Sequence, residues 1–216
     1  MEKNFDLRLQ LPNHSLIIGM SMSGKTRLVL HLLQNLDHFH PLPKTILFLY
    51  DQYQPEYEKI KHLVEKRGVE MILRQGFKIA LEDIENKGHQ TLLIIDDATE
   101  ETASSQEIAK IATNGRHKNV SLWLIWHSLY TKHASSRLIA QNVSYFFFLP
   151  SVRLTSQIHV LDSQLRSNGD LVSAYKQAID SDQAHRYLLL DIAPSTPAAF
   201  RYRTNVTNIP QRVYIQ

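Results

Sequence analysis

Ser15-Leu-Ile-Ile-Gly19-Met-Ser-Met-Ser-Gly24-Lys25-Thr26 is the stretch of this chain that decides its fold. A short apolar run leads into Gly-x-x-x-x-Gly-Lys-Thr, and the helical pattern Arg27-Leu-Val-Leu-His-Leu-Leu follows. A buried strand, this loop and a helix, in that order, are the context of a phosphate-binding loop. We therefore expect an anion site here, because the backbone N–H groups of the loop and the positive end of the helix dipole face the same point.

Two side chains of the loop have predicted roles. Lys25 is expected to reach the β- and γ-phosphates of a nucleotide, and the Thr26 hydroxyl is expected to ligate Mg²⁺. The alternative, a chance Gly/Ser turn with an exposed lysine, does not explain why every position of the motif is filled. The residues predicted to bind the nucleotide are Gly19, Met20, Ser21, Met22, Ser23, Gly24, Lys25 and Thr26.

Composition favours one domain. The chain has 216 residues, of which 43% are hydrophobic, so it can bury a full core. We predict a single domain over 1–216, with a core of about 12–192 and a basic C-terminal tail at 193–216. The tail contains no acid and no lysine but has Arg201, Arg203 and Arg212, which account for the net charge of +3. A solvated tail is the expected default, although it could contact an anionic partner.

Several classes of site are excluded or disfavoured. The chain has no cysteine, which excludes disulfides, thiolate catalysis and cysteine-based zinc sites. Its 11 histidines have no recognisable metal-binding spacing, so no metal is expected beyond the Mg²⁺ of the nucleotide. No apolar signal region opens the chain, and no apolar run approaches the ~18 residues of a membrane span. We expect a soluble intracellular protein that does not contact a membrane.

Strand-like and helical patterns alternate along the chain. Because the predicted strands are apolar at nearly every position, they indicate an α/β fold with a mostly parallel central sheet flanked by helices on both faces. The predicted strands are Ser15–Ile18, Thr45–Leu49, Thr91–Ile95, Val120–Trp126, Tyr145–Leu149 and Tyr187–Leu190. The predicted helices are Lys25–Leu36, Pro55–Lys66, Ser104–Thr113, Ser135–Gln141, Thr155–Leu165 and Leu171–Ile179.

A second motif, Thr91-Leu-Leu-Ile-Ile-Asp96-Asp97, ends a buried strand in two acids. It would bring both carboxylates to the edge of the sheet where the phosphate loop opens. Asp96 is expected to hold Mg²⁺ through its water shell, and Asp97 to polarise the water that attacks the γ-phosphate. The stretch between Lys25 and the two acids leaves room for one intervening strand unit. The simpler alternative is a helix cap, since acids favour helix starts.

The strand Val120–Trp126 offers a third set of candidates. It ends at His127 and Ser128, and Arg116 precedes it at the end of a predicted helix. A motor ATPase needs a polar sensor beside the γ-phosphate and an arginine donated by the next subunit. His127 can donate or accept a hydrogen bond and so could read the γ-phosphate, or it could be a histidine satisfied at a strand end.

Together these motifs resemble the FtsK–HerA superfamily. The combination of Gly19–Thr26, Leu92–Asp97 and the segment from Gly115 to His127 is similar to the genome-packaging ATPases of poxvirus-type, Polinton and adintovirus-like double-stranded DNA viruses. Further matching segments are Tyr53-Gln-Pro-Glu-Tyr57, Ser136-Arg-Leu-Ile-Ala-Gln-Asn-Val-Ser-Tyr145 and Pro150-Ser-Val-Arg153 with Ser156-Gln-Ile158. The resemblance spans Ser15 to Asp191. In that family the sensor strand usually ends in Thr-Gln, where this chain has Trp126-His127.

The resemblance implies a RecA-like P-loop NTPase that uses ATP and Mg²⁺. It implies a homo-oligomeric ring that moves double-stranded DNA into a preformed capsid, in the nucleus or the cytoplasm of the host cell. The sensor strand would lie between the strand of the phosphate loop and the strand that ends at Asp96. Arg116 lies where the superfamily has its trans-acting arginine, with Arg137 and Arg153 as further candidates. A helix-end arginine can also be a simple cap of backbone carbonyls.

Two alternatives stay open. The chain could be a DNA pump or segregation ATPase of a mobile element, which would be expected to have extra domains or a membrane anchor. It could also be a nucleotide-binding interaction module without motor activity. If it is a motor, the expected DNA contacts are Lys132, His133 and Arg137 in the connection after the sensor strand, and the arginines of the tail. A capsid component would be a further partner.

Overall fold

The computed structural model describes residues 5–85, 88–99, 102, 105–130, 133–181, 186–208 and 211–214. Within these residues the strands are β1 (Leu9–Gln10), β2 (His14–Ile18), β3 (Phe39–His40), β4 (Thr45–Tyr50), β5 (Glu70–Gln75), β6 (Thr91–Ile95), β7 (Val120–Trp126), β8 (Tyr145–Phe148), β9 (Leu188–Asp191), β10 (Tyr202–Thr204) and β11 (Arg212–Val213). The α-helices are α1 (Lys25–Gln34), α2 (Pro55–Glu65), α3 (Glu82–Glu85), α4 (Gln106–Asn114), α5 (Ala134–Gln141), α6 (Leu154–Leu165) and α7 (Asp170–Ile179).

Nine of these strands form one sheet, in the order β11-β10-β9-β8-β2-β7-β6-β4-β5. The six strands from β8 to β5 run parallel to one another, and β9, β10 and β11 continue the sheet with antiparallel pairings. A separate pair, β1 and β3, is parallel. The mostly parallel α/β fold is thus confirmed, and β7 lies between β2 and β6, as the resemblance implies.

Helices cover both faces of the sheet because its central strands are apolar on both sides. Ile17 faces the cluster that contains α1 and α2, whereas Leu16 faces the cluster that contains α4 to α7. Burying each such aliphatic side chain contributes about 1.5–3 kcal/mol before the cost of ordering the chain. In the described part of the chain, none of the helices is both long enough and apolar enough to cross a membrane.

The interval between the phosphate loop and Asp96 differs from the prediction. It contains two sheet strands, β4 and β5, instead of one strand unit. Strand β5 lies at the edge of the sheet, and Met71 is its one buried residue. Because an edge strand is covered on fewer sides, its sequence is not uniformly apolar and does not produce the pattern that reveals the central strands.

The expectation of a solvated tail at 193–216 is wrong for part of that segment. Its residues form β10 and β11, and Arg203 of β10 is fully buried. Its guanidinium lies 2.7 Å from a carboxylate oxygen of Asp191 and also donates to the carbonyl of Leu7. The acid partner is outside the acid-free segment, and the antiparallel pairing of β9 with β10 brings it to the arginine. Arg201 and Arg212 are exposed.

This ion pair makes a testable contribution to stability. Both side chains are at most 1% exposed, and burial raises the pKa of Asp191 despite the neighbouring guanidinium. We predict that Asp191→Ala lowers the free energy of unfolding by about 3–5 kcal/mol, because it leaves Arg203 charged and unpaired in the core. Urea denaturation measures the effect. The control Arg212→Ala, at an exposed position, should change stability by less than about 0.5 kcal/mol. A loss as small as the control's would contradict the prediction.

Candidate active site

The phosphate loop connects β2 to α1, and its backbone requires two glycines. A Cβ on Gly19 would lie 2.4 Å from the Ser23 hydroxyl oxygen and 3.0 Å from the Leu149 Cβ, so a larger residue would clash. Gly24 has φ 92°, in the left-handed region that favours glycine. Met22, which is fully exposed, also has a positive φ of 62°. The Ser23 hydroxyl oxygen is buried and has no hydrogen-bond partner among the described residues, which suits a loop that closes around an anion.

Lys25 is held inside this loop. Its ammonium donates to the carbonyls of Gly19 at 3.0 Å and Met20 at 2.8 Å, and it lies 3.3 Å from Nδ1 of His127. Burial lowers the pKa of Lys25, and the nearby charges of Asp97 and Asp96 oppose this shift. The cation is therefore at the point where the loop, the acids and the end of β7 meet.

Asp96 connects three elements. One oxygen of its carboxylate accepts from the Thr26 hydroxyl at 2.8 Å, and the other accepts from the Tyr57 hydroxyl at 2.7 Å. Burial raises the pKa of Asp96, whereas the bonds from Tyr57 and Thr26 act to lower it. A carboxylate and a hydroxyl beside a phosphate loop are hard oxygen donors of the kind that a magnesium ion with several waters prefers, so Thr26 and Asp96 fit the predicted Mg²⁺ site.

Asp97 and His127 form the other side of the site. Nε2 of His127 lies 2.7 Å from Oδ1 of Asp97, whose side chain is 67% exposed. The ammonium of Lys25 can only donate, so Nδ1 of His127 accepts from it and Nε2–H donates to Asp97. Asp97 also has φ 59°, a left-handed conformation that aspartate tolerates better than most residues. The tight turn after β6 thus turns a solvent-accessible carboxylate towards the end of β7.

These groups line a single open cleft of about 460 Å³. The end of β4 and the loop after it form the far side of the cleft, with Tyr50, Asp51 and Gln54. Cation, hydroxyl, buried acid, exposed acid and imidazole all face this space. Such an arrangement can hold a polyanion with a divalent cation and can present one carboxylate to a water molecule.

The three candidate trans-acting arginines lie in different places. Arg116 is in the 3₁₀ turn Gly115–Lys118, at the amino end of β7. Since β7 has seven residues at about 3.3 Å each, roughly 20 Å separate this turn from His127. Arg137 lies on α5, beside Tyr130 and Phe146, and Arg153 is exposed at the start of α6. None of the three lines the nucleotide cleft of its own chain, as far as the described residues go.

The Arg116 turn packs tightly on the strand that leads to the phosphate loop. A Cβ on Gly115 would lie 3.2 Å from the Val120 carbonyl oxygen and 3.4 Å from the His14 ring. His14 accepts from the Leu122 backbone N–H at 3.0 Å, and burial together with the Arg116 charge lowers its pKa to about 3. A neutral imidazole therefore lies between β2 and the turn.

Two features of the site were not assigned from the sequence. Tyr57 is in a segment that resembles the family, but its bond to Asp96 becomes visible only when α2 packs against α1 and β5. The second feature is that the segment after His127 is hydrogen-bonded to α6. The side chain of Gln157 accepts from the Leu129 N–H at 2.7 Å, and the Tyr130 hydroxyl donates to Gln164 at 3.1 Å. Lys132, one of the predicted DNA contacts, lies outside the described residues.

Comparison with known proteins gives matches to one protein family and to solved structures of similar fold. The family described as Poxvirus A32 protein matches residues 3–193. The fold is similar to the genome packaging NTPase B204 of Sulfolobus turreted icosahedral virus 2 in complex with ATP-gammaS, with a TM-score of 0.55 and 15% identity over 83% of this chain and 92% of that one. B204 from Sulfolobus turreted icosahedral virus, described as a DNA-packaging ATPase, has a TM-score of 0.52 at the same identity and coverage. No curated protein sequence matches the chain.

These findings confirm the resemblance that the sequence motifs indicate and the P-loop NTPase fold.

The double hydrogen bond to Asp96 gives a prediction for Tyr57. We expect Tyr57→Phe to lower the free energy of unfolding by about 1.5–3 kcal/mol, because a buried carboxylate oxygen loses its donor. Thermal or urea unfolding of the nucleotide-free protein measures this loss. Tyr53→Phe removes a hydroxyl from a neighbouring tyrosine that is 51% exposed, and should be almost neutral. Equal effects of the two substitutions would show that the bond to Asp96 contributes nothing.

Proposed function

Since the chain belongs to the poxvirus A32 protein family, we propose that it is an ATPase that drives double-stranded viral DNA into capsids. The observation that carries the proposal is the convergence of five side chains on one cleft at the carboxyl edge of the sheet. They are Lys25, Thr26, Asp96, Asp97 and His127. A phosphate loop alone would fit many nucleotide-binding proteins, but the exposed acid held by an imidazole supports a hydrolase.

Binding of the triphosphate is proposed to rest on residues 19–26. The loop N–H groups and the unpartnered Ser23 hydroxyl would contact phosphate oxygens. Lys25 would exchange its two carbonyl partners for the β- and γ-phosphates, which are stronger acceptors because they are charged. Thr26 and Asp96 would hold Mg²⁺, which neutralises charge on the phosphates during transfer. Tyr57 keeps Asp96 oriented while this happens.

Hydrolysis is proposed to use Asp97 as the base that orients the attacking water and accepts its proton. Asp97 is the exposed acid of the pair, whereas Asp96 is buried and bound by two hydroxyls. His127 holds Asp97 through Nε2–H and touches Lys25 through Nδ1. Because Lys25 would move to the phosphates when a nucleotide binds, His127 is well located to sense the γ-phosphate.

Coupling to DNA is proposed to run through the segment after His127. Ser128, Leu129 and Tyr130 are bonded to Gln157 and Gln164 on α6, so a shift of His127 would be transmitted to that helix. His133 and Arg137 follow in the chain and are proposed to contact DNA phosphates together with Lys132. Arg201 and Arg212 of the C-terminal segment are exposed and could add contacts, whereas Arg203 is buried in its ion pair.

The assembly is proposed to be a homo-oligomeric ring that docks on a capsid component. Arg116 lies at the amino end of β7, whereas the cleft lies at the carboxyl end. If an arginine that lies this far from its own cleft takes part in hydrolysis, it must act on the cleft of a neighbour. This supports Arg116 over Arg153, which follows β8 at the same edge as the cleft.

Steady-state ATPase assays with and without duplex DNA test the proposal. We expect hydrolysis that duplex DNA stimulates without sequence preference, and DNA affinity that falls with salt by roughly 0.9 in log K per phosphate neutralised. Asp97→Asn should lower turnover by at least about 100-fold while ATP still binds, because the base is lost and the phosphate loop is kept. Asp51→Asn, at an exposed acid of the same cleft, is the matched control.

The outcomes separate the alternatives. Turnover that DNA never stimulates, together with salt-independent binding, would favour an interaction module. DNA stimulation without capsid-dependent protection of DNA from nuclease would favour a DNA pump of a mobile element. Near-normal turnover in Asp97→Asn would mean that another group is the base.

The trans-acting arginine has a separate test. Arg116→Ala should lose on the order of 10³-fold in turnover with little change in nucleotide affinity. Mixing it with Lys25→Ala subunits should restore part of the activity, because each variant supplies the group that the other lacks. Arg137→Ala mixed in the same way is the comparison. If only the Arg137→Ala mixture recovers activity, the role belongs to Arg137.

A further inference from the structure

A second cleft adjoins the phosphate loop on the side away from Asp97. It has a volume of about 220 Å³ and shares Met22, Gly24 and Arg27 with the nucleotide cleft. Leu149, Pro150 and Tyr187 form its apolar wall, and Arg186 lies beside them.

The wall of this cleft is held firmly in place. The Leu149 N–H donates to the Ile18 carbonyl at 2.8 Å, so the chain after β8 stays hydrogen-bonded to the end of β2. Strand β9 is antiparallel to β8, and its beginning therefore lies at the same edge. The Tyr187 hydroxyl accepts from the Val206 N–H at 2.9 Å, and the Tyr187 carbonyl accepts from the Thr204 hydroxyl at 2.7 Å.

The order of strands fixes which end of a nucleotide would face this cleft. Strand β2 lies between β7 and β8. His127 and Asp97, which would surround the γ-phosphate, lie on the β7 side of the phosphate loop. A nucleotide whose phosphates fill the loop must therefore extend its other end towards β8 and β9. Arg27, on the first turn of α1, borders both clefts. It would lie beside the point where the phosphates of the nucleotide join its other end.

We propose that the ribose and base of the nucleotide bind in this cleft, with the base against Leu149, Pro150 and the Arg186 guanidinium, and that the site does not select the base. The proposal deepens the proposed function and rests on it for the bound triphosphate. A planar guanidinium stacks on the face of any base. Among the described lining residues there is no carboxylate or amide side chain that could pair with the amino group of adenine.

Weak selection follows from this chemistry. Sites that reject an analogue strongly do so because their own buried hydrogen-bonding groups would be left unpaired. Among the described residues that would face the base, Leu149 and Pro150 are apolar and Arg186 is exposed, so a different base leaves none of these side chains buried without a partner. The triphosphate, which all nucleotides share, supplies the selective contacts.

Titration calorimetry on the full chain with ATP, GTP, CTP, UTP and inorganic tripolyphosphate, each with Mg²⁺, tests the proposal. We expect the four nucleotides to bind within about tenfold of one another. Arg186→Ala should weaken all four by about tenfold, the usual size of one stacking contact, and leave tripolyphosphate unchanged because it has no base. Arg186→Lys, which keeps the charge without the planar group, should recover little.

Arg166→Gln removes an exposed arginine at the far end of α6 and is the control that should alter none of these affinities. A preference for ATP of more than about 100-fold would overturn the absence of base selection. An equal loss for ATP and tripolyphosphate in Arg186→Ala would overturn the location of the base. Both results differ from a failure of the proposed function, which would appear as a wild-type chain that binds neither tripolyphosphate nor nucleotide.

Discussion

The carboxylate of Asp96 holds the phosphate loop, the central sheet and helix α2 in one arrangement. Thr26 at the start of α1 donates to one oxygen, and Tyr57 of α2 donates to the other. A buried carboxylate is costly unless it is bonded on all sides, so the two helices must keep their positions relative to β6. This constraint places the loop at a fixed distance from the acids, which is the geometry that phosphoryl transfer requires.

The strand order determines which chemistry surrounds that point. With β7 between β2 and β6, His127 reaches both Lys25 and Asp97. The site carries groups whose ionised forms are disfavoured by burial, which lowers the pKa of Lys25 and raises that of Asp96. Perturbed groups of this kind are typical of functional sites. Burying these two groups lowers the stability of the fold, and the hydrophobic clusters on the two faces of the sheet offset this cost.

The two edges of the sheet carry different features. The nucleotide cleft opens at the carboxyl edge, and the Arg116 turn lies at the amino edge, packed on His14 at the start of the phosphate-loop strand. Arg116 therefore lies far from the cleft of its own chain. The segment after His127 is bonded to α6, so the same strand that ends in the site also contacts a surface helix.

Local patterns in the sequence were sufficient for the phosphate loop, the Asp96–Asp97 motif and the central strands, because a parallel strand buried on both faces is apolar at nearly every position. Side-chain partners were decided by the tertiary structure. Tyr57, Arg203 and His127 each bind a residue that is brought close by strand order or helix packing, and spacing along the chain does not encode these contacts. The edge strand β5 was missed for a related reason: its mixed pattern reflects partial exposure, which depends on its position in the finished sheet.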